Sequence, residues 1–246
     1  MMGQNPIILI PARMASTRLP NKPLAQICGL PMIVQVLKRA QEADCGRVVV
    51  AAAEAEIAEA VIDAGGEAVL TAPELPSGSD RIHAALQNID PDGAHDVIIN
   101  LQGDLPTLEA GLAQDCLAAL NGADMSTLVA EITKADERDN PNVVKAVLSP
   151  LGNNLARALY FTRATAPSGD GPLYHHIGIY GYQRAALDKF VALPPSVLEQ
   201  REKLEQLRAL EAGFTIHAAI VDTVPVGVDT PQDLAHAEAV LKEQGQ

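Results

Sequence analysis

Arg13, Arg18 and Lys22 are the only charged residues among the first 37, and they follow directly on the apolar run Pro6-Ile7-Ile8-Leu9-Ile10. The whole chain carries a formal net charge of -13, so a site for an anion has to be assembled locally against a repelling background. Fixed cations and small-residue backbone at the carboxyl end of a first strand stand where open α/β sheets bind their ligands. The loop Pro11-Ala12-Arg13-Met14-Ala15-Ser16-Thr17-Arg18-Leu19-Pro20-Asn21-Lys22-Pro23 is small and stiff rather than merely polar. That favours a phosphate-binding loop over an ordinary solvated one.

Two carboxylates stand at similar strand-to-helix junctions, Asp104 in Gln102-Gly103-Asp104-Leu105-Pro106 and Asp229 in Pro225-Val226-Gly227-Val228-Asp229-Thr230-Pro231. Each can be read as a helix cap, Asp104 for a helix starting near Thr107 and Asp229 or Thr230 for the next one. Each can equally hold a divalent metal, because Mg²⁺ is usually bound by one or two carboxylates with phosphate oxygens and waters completing its shell. Whether the two meet is a question for the fold.

Three further stretches carry polar groups in ordered patterns. Ser77-Gly78-Ser79-Asp80-Arg81 opens a helix whose small residues and free N–H groups suit a base or a sugar, although many helices begin this way. In His176-Ile177-Gly178-Ile179-Tyr180-Gly181-Tyr182, strand alternation puts His176, Gly178, Tyr180 and Tyr182 on one face, which would suit a hydroxyl-rich ligand or simply water. Leu198 to Leu210 reads as part of an amphipathic helix with Leu204, Leu207 and Leu210 inward and Glu205 and Gln206 among its polar residues.

The elements that must position these groups alternate. Strands are predicted over 7–10, 47–53, 67–71 and 96–101, with helices over 31–43, 54–64 and about 79–88 between them, which is the punctuation of a doubly wound, mostly parallel sheet. After about Ala123 the pattern changes. Strands over 125–132, 143–148, 156–162 and 177–182 have no long helix between them and predict an inserted antiparallel β element. Helices over 185–193 and 197–212, a strand over 215–221 and a helix over 231–242 complete the chain. The expectation is a single α/β domain over 1–246 with a β insertion at about 123–182.

A hydrophobic fraction of 48% with 3% aromatic residues and no Trp describes a core of Ala, Val, Leu and Ile, as helices on a parallel sheet require. The acidity argues against nucleic acid as a partner. Cys28, Cys45 and Cys116 form neither a disulfide framework nor a zinc motif. No stretch approaches the ~20 apolar residues of a membrane span, and no signal peptide is apparent. The expected location is the cytoplasm.

Taken together, several motifs resemble the 3-deoxy-manno-octulosonate cytidylyltransferase (CMP-Kdo synthetase) family. They are Ile-Pro-Ala-Arg-x-x-Ser-Thr-Arg-Leu-Pro-x-Lys-Pro-Leu, Gln-Gly-Asp, Asn-Pro-Asn-x-Val-Lys (Asn140 to Lys145), Tyr-Phe-x-Arg-Ala-Thr (Tyr160 to Thr165), His-x-Gly-Ile-Tyr-Gly-Tyr, Leu-Glu-Gln-Leu-Arg and Gly-Val-Asp-Thr-Pro. They occur in order from Ile10 to Pro231.

The resemblance implies a nucleotide-diphospho-sugar transferase-like fold and transfer of CMP from CTP to Kdo for lipopolysaccharide synthesis. It also implies a homodimer formed largely through the β insertion. Pro11, Ala12, Arg13, Arg18 and Lys22 would hold CTP, with Ser77, Gly78 and Arg81 near cytosine and ribose. Asp104 and Asp229 would carry Mg²⁺, and with Arg13 and Lys22 form the catalytic set. Gln102, Arg163, His176, Tyr180, Glu205 and Gln206 would line the sugar pocket.

Three features depart from the family pattern. Ala52-Ala53 precedes Glu54 where the family commonly has Thr-Asp, Leu105 stands where it has Glu, and the segment between Pro167 and His176 is short. The alternatives are a cytidylyltransferase for 8-amino-Kdo or a sialic acid, and a CTP-binding regulatory protein whose catalysis has decayed. A nucleotide-sugar glycosyltransferase would want Asp-x-Asp after a strand. Here Asp90-Pro91-Asp92 lies before the strand instead.

Overall fold

The computed structural model describes residues 4–244. In chain order the elements are β1 (Pro6–Ala12), a 3-10 turn (Lys22–Leu24), β2 (Gln26–Ile27), β3 (Leu30–Pro31), α1 (Met32–Glu42), β4 (Arg47–Ala52), α2 (Ala55–Asp63), β5 (Glu67–Leu70), α3 (Gly78–Ile89), β6 (Val97–Asn100) and α4 (Ala110–Ala119). There follow β7 (Met125–Glu131), α5 (Ala135–Arg138), β8 (Lys145–Gly152), β9 (Leu155–Thr162), β10 (Tyr174–Gln183), α6 (Arg184–Val191), α7 (Val197–Glu202), α8 (Gln206–Glu211), β11 (Ile216–Val221) and α9 (Pro231–Glu243). Two compact units result: residues up to Gln114 together with those from Pro225 onward, and Asp115–Val224.

In the first unit β5, β4, β1 and β6 lie side by side and all parallel. Ile7, Ile8, Leu9 and Ile10 of β1 are fully buried, because a parallel strand covered on both faces has no solvent side to alternate toward. A satellite core of Leu19, Ile27, Met32, Val228, Ala237 and Leu241 fastens the end of the cation loop and the β2–β3 hairpin to α9. This packing brings the loop and the 225–231 junction together. Gly103 follows β6 at a place where a Cβ would lie 2.8 Å from the Pro11 carbonyl oxygen, so glycine is required for the strand ends to approach this closely.

The second unit is a mixed sheet in the order β10, β7, β11, β9, β8. β7 and β11 are parallel, and the other neighbours antiparallel. Tyr174 and His175 at the start of β10 also pair with Ala146 and Lys145 of β8, so the five strands close into a ring at that end. The Lys145 side chain is fully buried and donates to the Asn140 carbonyl at 2.6 Å. That bond ties the two ends of the Asn140–Lys145 motif together.

The α/β class and the mostly parallel sheet with an antiparallel β insertion are as the sequence leads one to expect. Two details differ. The helix expected over 197–212 is two helices, α7 and α8, because Lys203 adopts the left-handed conformation (φ 58°) and its N–H closes on the Glu199 carbonyl. The helix expected near Thr107 begins at Ala110. Among the described residues no helix is long and apolar enough to cross a membrane.

Candidate active site

The carboxyl ends of β1 and β6 open on a cleft of about 480 Å³ in the first unit, lined by the cation loop, by the start of α3 and by Gln102, Gly103, Asp104 and Asp229. Of the residues singled out in the sequence, Pro11, Ala12, Arg13, Arg18, Lys22, Ser77, Gly78, Arg81, Gln102, Asp104 and Asp229 all line it. One ammonium group joins its two carboxylates. Lys22 Nζ donates to Asp104 Oδ2 at 2.8 Å, to Asp229 Oδ1 at 3.0 Å and to the Val228 carbonyl at 3.0 Å. Arg18 Nη2 reaches Asp229 Oδ2 at 2.9 Å from a largely exposed position. Burial pulls the Lys22 pKa down, but Asp104 and then Asp229 more than offset it, and the net shift is upward.

The capping alternatives for the two carboxylates are answered by local geometry. α9 is capped by Thr230, whose hydroxyl accepts from the Asp233 N–H at 3.2 Å while Asp233 accepts from Thr230 N–H at 2.8 Å. Asp229 is therefore not spent on that helix. Asp104 lies six residues before α4, and its carbonyl accepts from Val228 N–H at 3.0 Å. The backbone of one aspartate junction is thus bonded to the other, and both carboxylates stay on the cleft. Both carboxylates reach the same ammonium, and a pair of aspartates facing a phosphate-binding cleft is a donor set that suits Mg²⁺. Among the described residues no cluster of three or more His, Cys, Asp or Glu offers a fuller cage.

Ser77 and Arg81 have structural duties at the cleft. Ser77 caps α3, its Oγ accepting from Asp80 N–H at 3.1 Å. Arg81 is 2% exposed and its guanidinium donates to Thr71 Oγ1 (2.7 Å) and to the Ala72 and Pro73 carbonyls (3.0 and 3.2 Å). It holds the segment after β5 against the cleft wall. Glu54 went unnoticed as a site residue in the sequence. Its Oε2 accepts from Met14 N–H at 2.9 Å and so fixes the loop beside Arg13. The only sequence signal for it was its place directly after Ala52-Ala53.

The other five expected sugar residues, Arg163, His176, Tyr180, Glu205 and Gln206, lie in the second unit. A row of rings runs Phe161, His176, Tyr180, Tyr182, Phe190, with successive centroids 4.9, 5.5, 6.1 and 6.0 Å apart. Burial, with a smaller contribution from His175, lowers the His176 pKa to about 3, so the ring is neutral at pH 7. Burial also pushes the Tyr180 phenol well above its usual value. Glu202, absent from the sequence expectations, organises the Arg163 end of β9. Its carboxylate accepts from Thr162 Oγ1 (2.9 Å), Tyr160 Oη (3.4 Å) and Arg163 N–H (3.1 Å), and its carbonyl accepts from Arg163 Nε (3.0 Å). Gln206 is 5% exposed, and among the described residues its buried Nε2 has no acceptor, which leaves this donor open to an external partner.

Residues 7–216 match the family model described as Cytidylyltransferase. A 3-deoxy-manno-octulosonate cytidylyltransferase of Parvibaculum lavamentivorans is 69% identical over 98% of this chain and 94% of its own. One of Rhodospirillum centenum is 61% identical over 97% and 94%. The chain belongs to the 3-deoxy-manno-octulosonate cytidylyltransferase family. A solved structure described as CMP:2-keto-3-deoxy-manno-octonic acid synthetase complexed with CTP superimposes on it with a TM-score of 0.90 at 34% identity, covering 98% of this chain and 100% of that one. Membership makes the chain a nucleotidyltransferase, and the fold that carries the cleft is the cytidylyltransferase fold.

Proposed function

We propose that the protein transfers CMP from CTP to the anomeric hydroxyl of Kdo, releasing pyrophosphate, and that it supplies lipopolysaccharide synthesis from the cytoplasm as a homodimer. The observation that carries the chemistry is Lys22 held between Asp104 and Asp229 in the loop that also bears Arg13 and Arg18. Phosphoryl-group transfer needs positioning and charge neutralisation more than a protein nucleophile. The substrate's hydroxyl attacks the α-phosphorus and a P–O bond forms there; the bond from that phosphorus to the bridging oxygen breaks, pyrophosphate leaves with its electron pair, and the hydroxyl's proton passes to solvent. Arg13, Arg18 and Lys22 bind the triphosphate and stabilise the leaving group. Asp104 and Asp229 would hold Mg²⁺, which when bound neutralises phosphate charge and acidifies the attacking hydroxyl. Gln102, Arg163, His176, Tyr180, Glu205 and Gln206 would orient the sugar acid. Glu202 supports this role for Arg163 by fixing its backbone and Nε.

Pyrophosphate release from CTP and Mg²⁺, with and without Kdo, tests the reading in the wild type and in Asp104→Ala. Release that needs Kdo and disappears in the variant supports both the reaction and the role of Asp104. CTP binding without Kdo-dependent release would reject Kdo. Parallel assays with 8-amino-Kdo and a sialic acid would then identify the sugar.

A further inference from the structure

Thr127 of β7 is fully buried and its single hydroxyl meets three groups of β10. Thr127 Oγ1 lies 2.9 Å from the Ile179 carbonyl oxygen, 3.1 Å from the Ile177 carbonyl oxygen and 3.1 Å from His176 Nε2. The cause is a register irregularity. Ile177 pairs with Leu128 and Tyr180 with Thr127, so two residues of β10, Gly178 and Ile179, have no counterpart on β7. The bulge turns both carbonyls onto one threonine.

A hydroxyl has one proton to give and two lone pairs to accept with. Carbonyl oxygens only accept. Were the Thr127 proton directed at His176, its oxygen would sit against two carbonyl oxygens at hydrogen-bonding distance with no proton between them. The proton must therefore be shared between the two carbonyls in a three-centre bond, and the hydroxyl oxygen must accept from the ring. We infer that Thr127 is a positioning residue that fixes His176 as the Nε2–H tautomer, so that Nδ1 carries the lone pair and acts only as an acceptor. Resting on the sugar-acid reading of this site, the consequence is that His176 recognises a substrate hydroxyl, which must donate to Nδ1. It does not recognise the carboxylate, which an acceptor nitrogen would repel. The edge contact with Phe161 and the tilted contact with Tyr180 hold the ring plane, and Thr127 sets which edge has the proton.

Two readings in parallel test this. The ¹⁵N-edited spectrum of histidine-labelled protein reports which nitrogen of His176 is protonated, assigned by comparison with His176→Gln. Steady-state kinetics report KM for CTP and for Kdo separately. The expected result is a wild-type Nε2–H tautomer that becomes mixed or inverted in the isosteric Thr127→Val and returns in Thr127→Ser. KM for Kdo should rise roughly tenfold in Thr127→Val, the size of one misdirected hydrogen bond, with KM for CTP unchanged and Thr127→Ser near wild type. A wild-type Nδ1–H tautomer, or an Nε2–H tautomer that persists in Thr127→Val, overturns the inference. So does a KM rise that Thr127→Ser does not rescue. If wild-type protein shows the expected tautomer dependence but does not use Kdo, the substrate reading fails and the role of Thr127 in setting the tautomer stands.

Discussion

Asp104 does two jobs with separate atoms. Its carbonyl takes the Val228 N–H, joining the two junctions of the cleft, while its carboxylate faces Lys22. Asp104→Asn keeps the first and removes the charge of the second. It should leave the circular dichroism spectrum unchanged, reduce kcat roughly 10²- to 10³-fold, as the loss of one preorganised electrostatic group does, and raise the Mg²⁺ concentration for half-maximal activity. Equal activity in the variant would remove Asp104 from the metal role. A second residue-scale expectation concerns His176. Its pKa is about 3 in the folded chain against about 6.5 unfolded, so the unfolded chain binds the extra proton between these values. Its contribution to stability is fully present above pH 6.5 and is lost as the pH falls toward 3. The stability difference between wild type and His176→Gln, from urea unfolding at a series of pH values, should shift against the wild type below pH 6.5. A pH-independent difference would mean that the ring does not resist protonation. Arg13, Arg18 and Lys22 were legible in the sequence as isolated cations after an apolar strand. Glu54 and Glu202 were not, because a lone glutamate reads as a solvated charge until the fold brings an N–H or a hydroxyl to it.

Between Val197 and Ala212 the sequence has the spacing of one helix, and the chain makes two. The pattern of apolar residues is compatible with both, and Lys is a good helix former, so no local signal marks the break. What the sequence cannot display is that Glu202 is engaged by Tyr160, Thr162 and Arg163 of the β9 end, which favours stopping the helix there. The left-handed Lys203 then turns the chain into α8. Lys203→Gly should therefore be neutral or stabilising by up to about 1 kcal/mol, since glycine takes this conformation without a Cβ penalty. Lys203→Val should destabilise. Denaturant midpoints at constant m-value read both, and the reverse order would mean that residue 203 prefers a helical backbone. Gly103 was legible as a residue permitting close approach, although what approaches is the Pro11 carbonyl of the neighbouring strand rather than a ligand alone. Gly103→Ala should cost ~1–3 kcal/mol by overpacking, with CTP binding weakened as the cleft floor shifts.

The proposed homodimer belongs to the scale of the whole molecule, where net charge and exposed apolar surface oppose each other. Each copy carries -13 formally, so two copies repel at long range, and screening with a Debye length of about 8 Å at physiological salt weakens that repulsion. The attractive surface has to be local. On the β8–β9 pair, Leu151 and Leu159 are both 52% exposed, and both fall at irregularities of the register. Leu159 has no counterpart between Val147 and Leu148, and Leu151 has none between Ala156 and Leu155. Bulges of this kind re-aim side chains away from their own sheet, which gives a reason for two large aliphatic residues to stand in water in a hairpin of the proposed dimer element. A double substitution of Leu151→Asp and Leu159→Asp should shift sedimentation from dimer toward monomer while leaving the unfolding transition within ~1 kcal/mol, because exposed side chains contribute little to the monomer's own core. Raising salt from about 10 to 150 mM should tighten the wild-type dimer, as expected when repulsion is being screened. Unchanged sedimentation of the double variant would exclude this hairpin as the contact. A dimer that loosens with salt would instead indicate that complementary charges, rather than these leucines, hold the copies together.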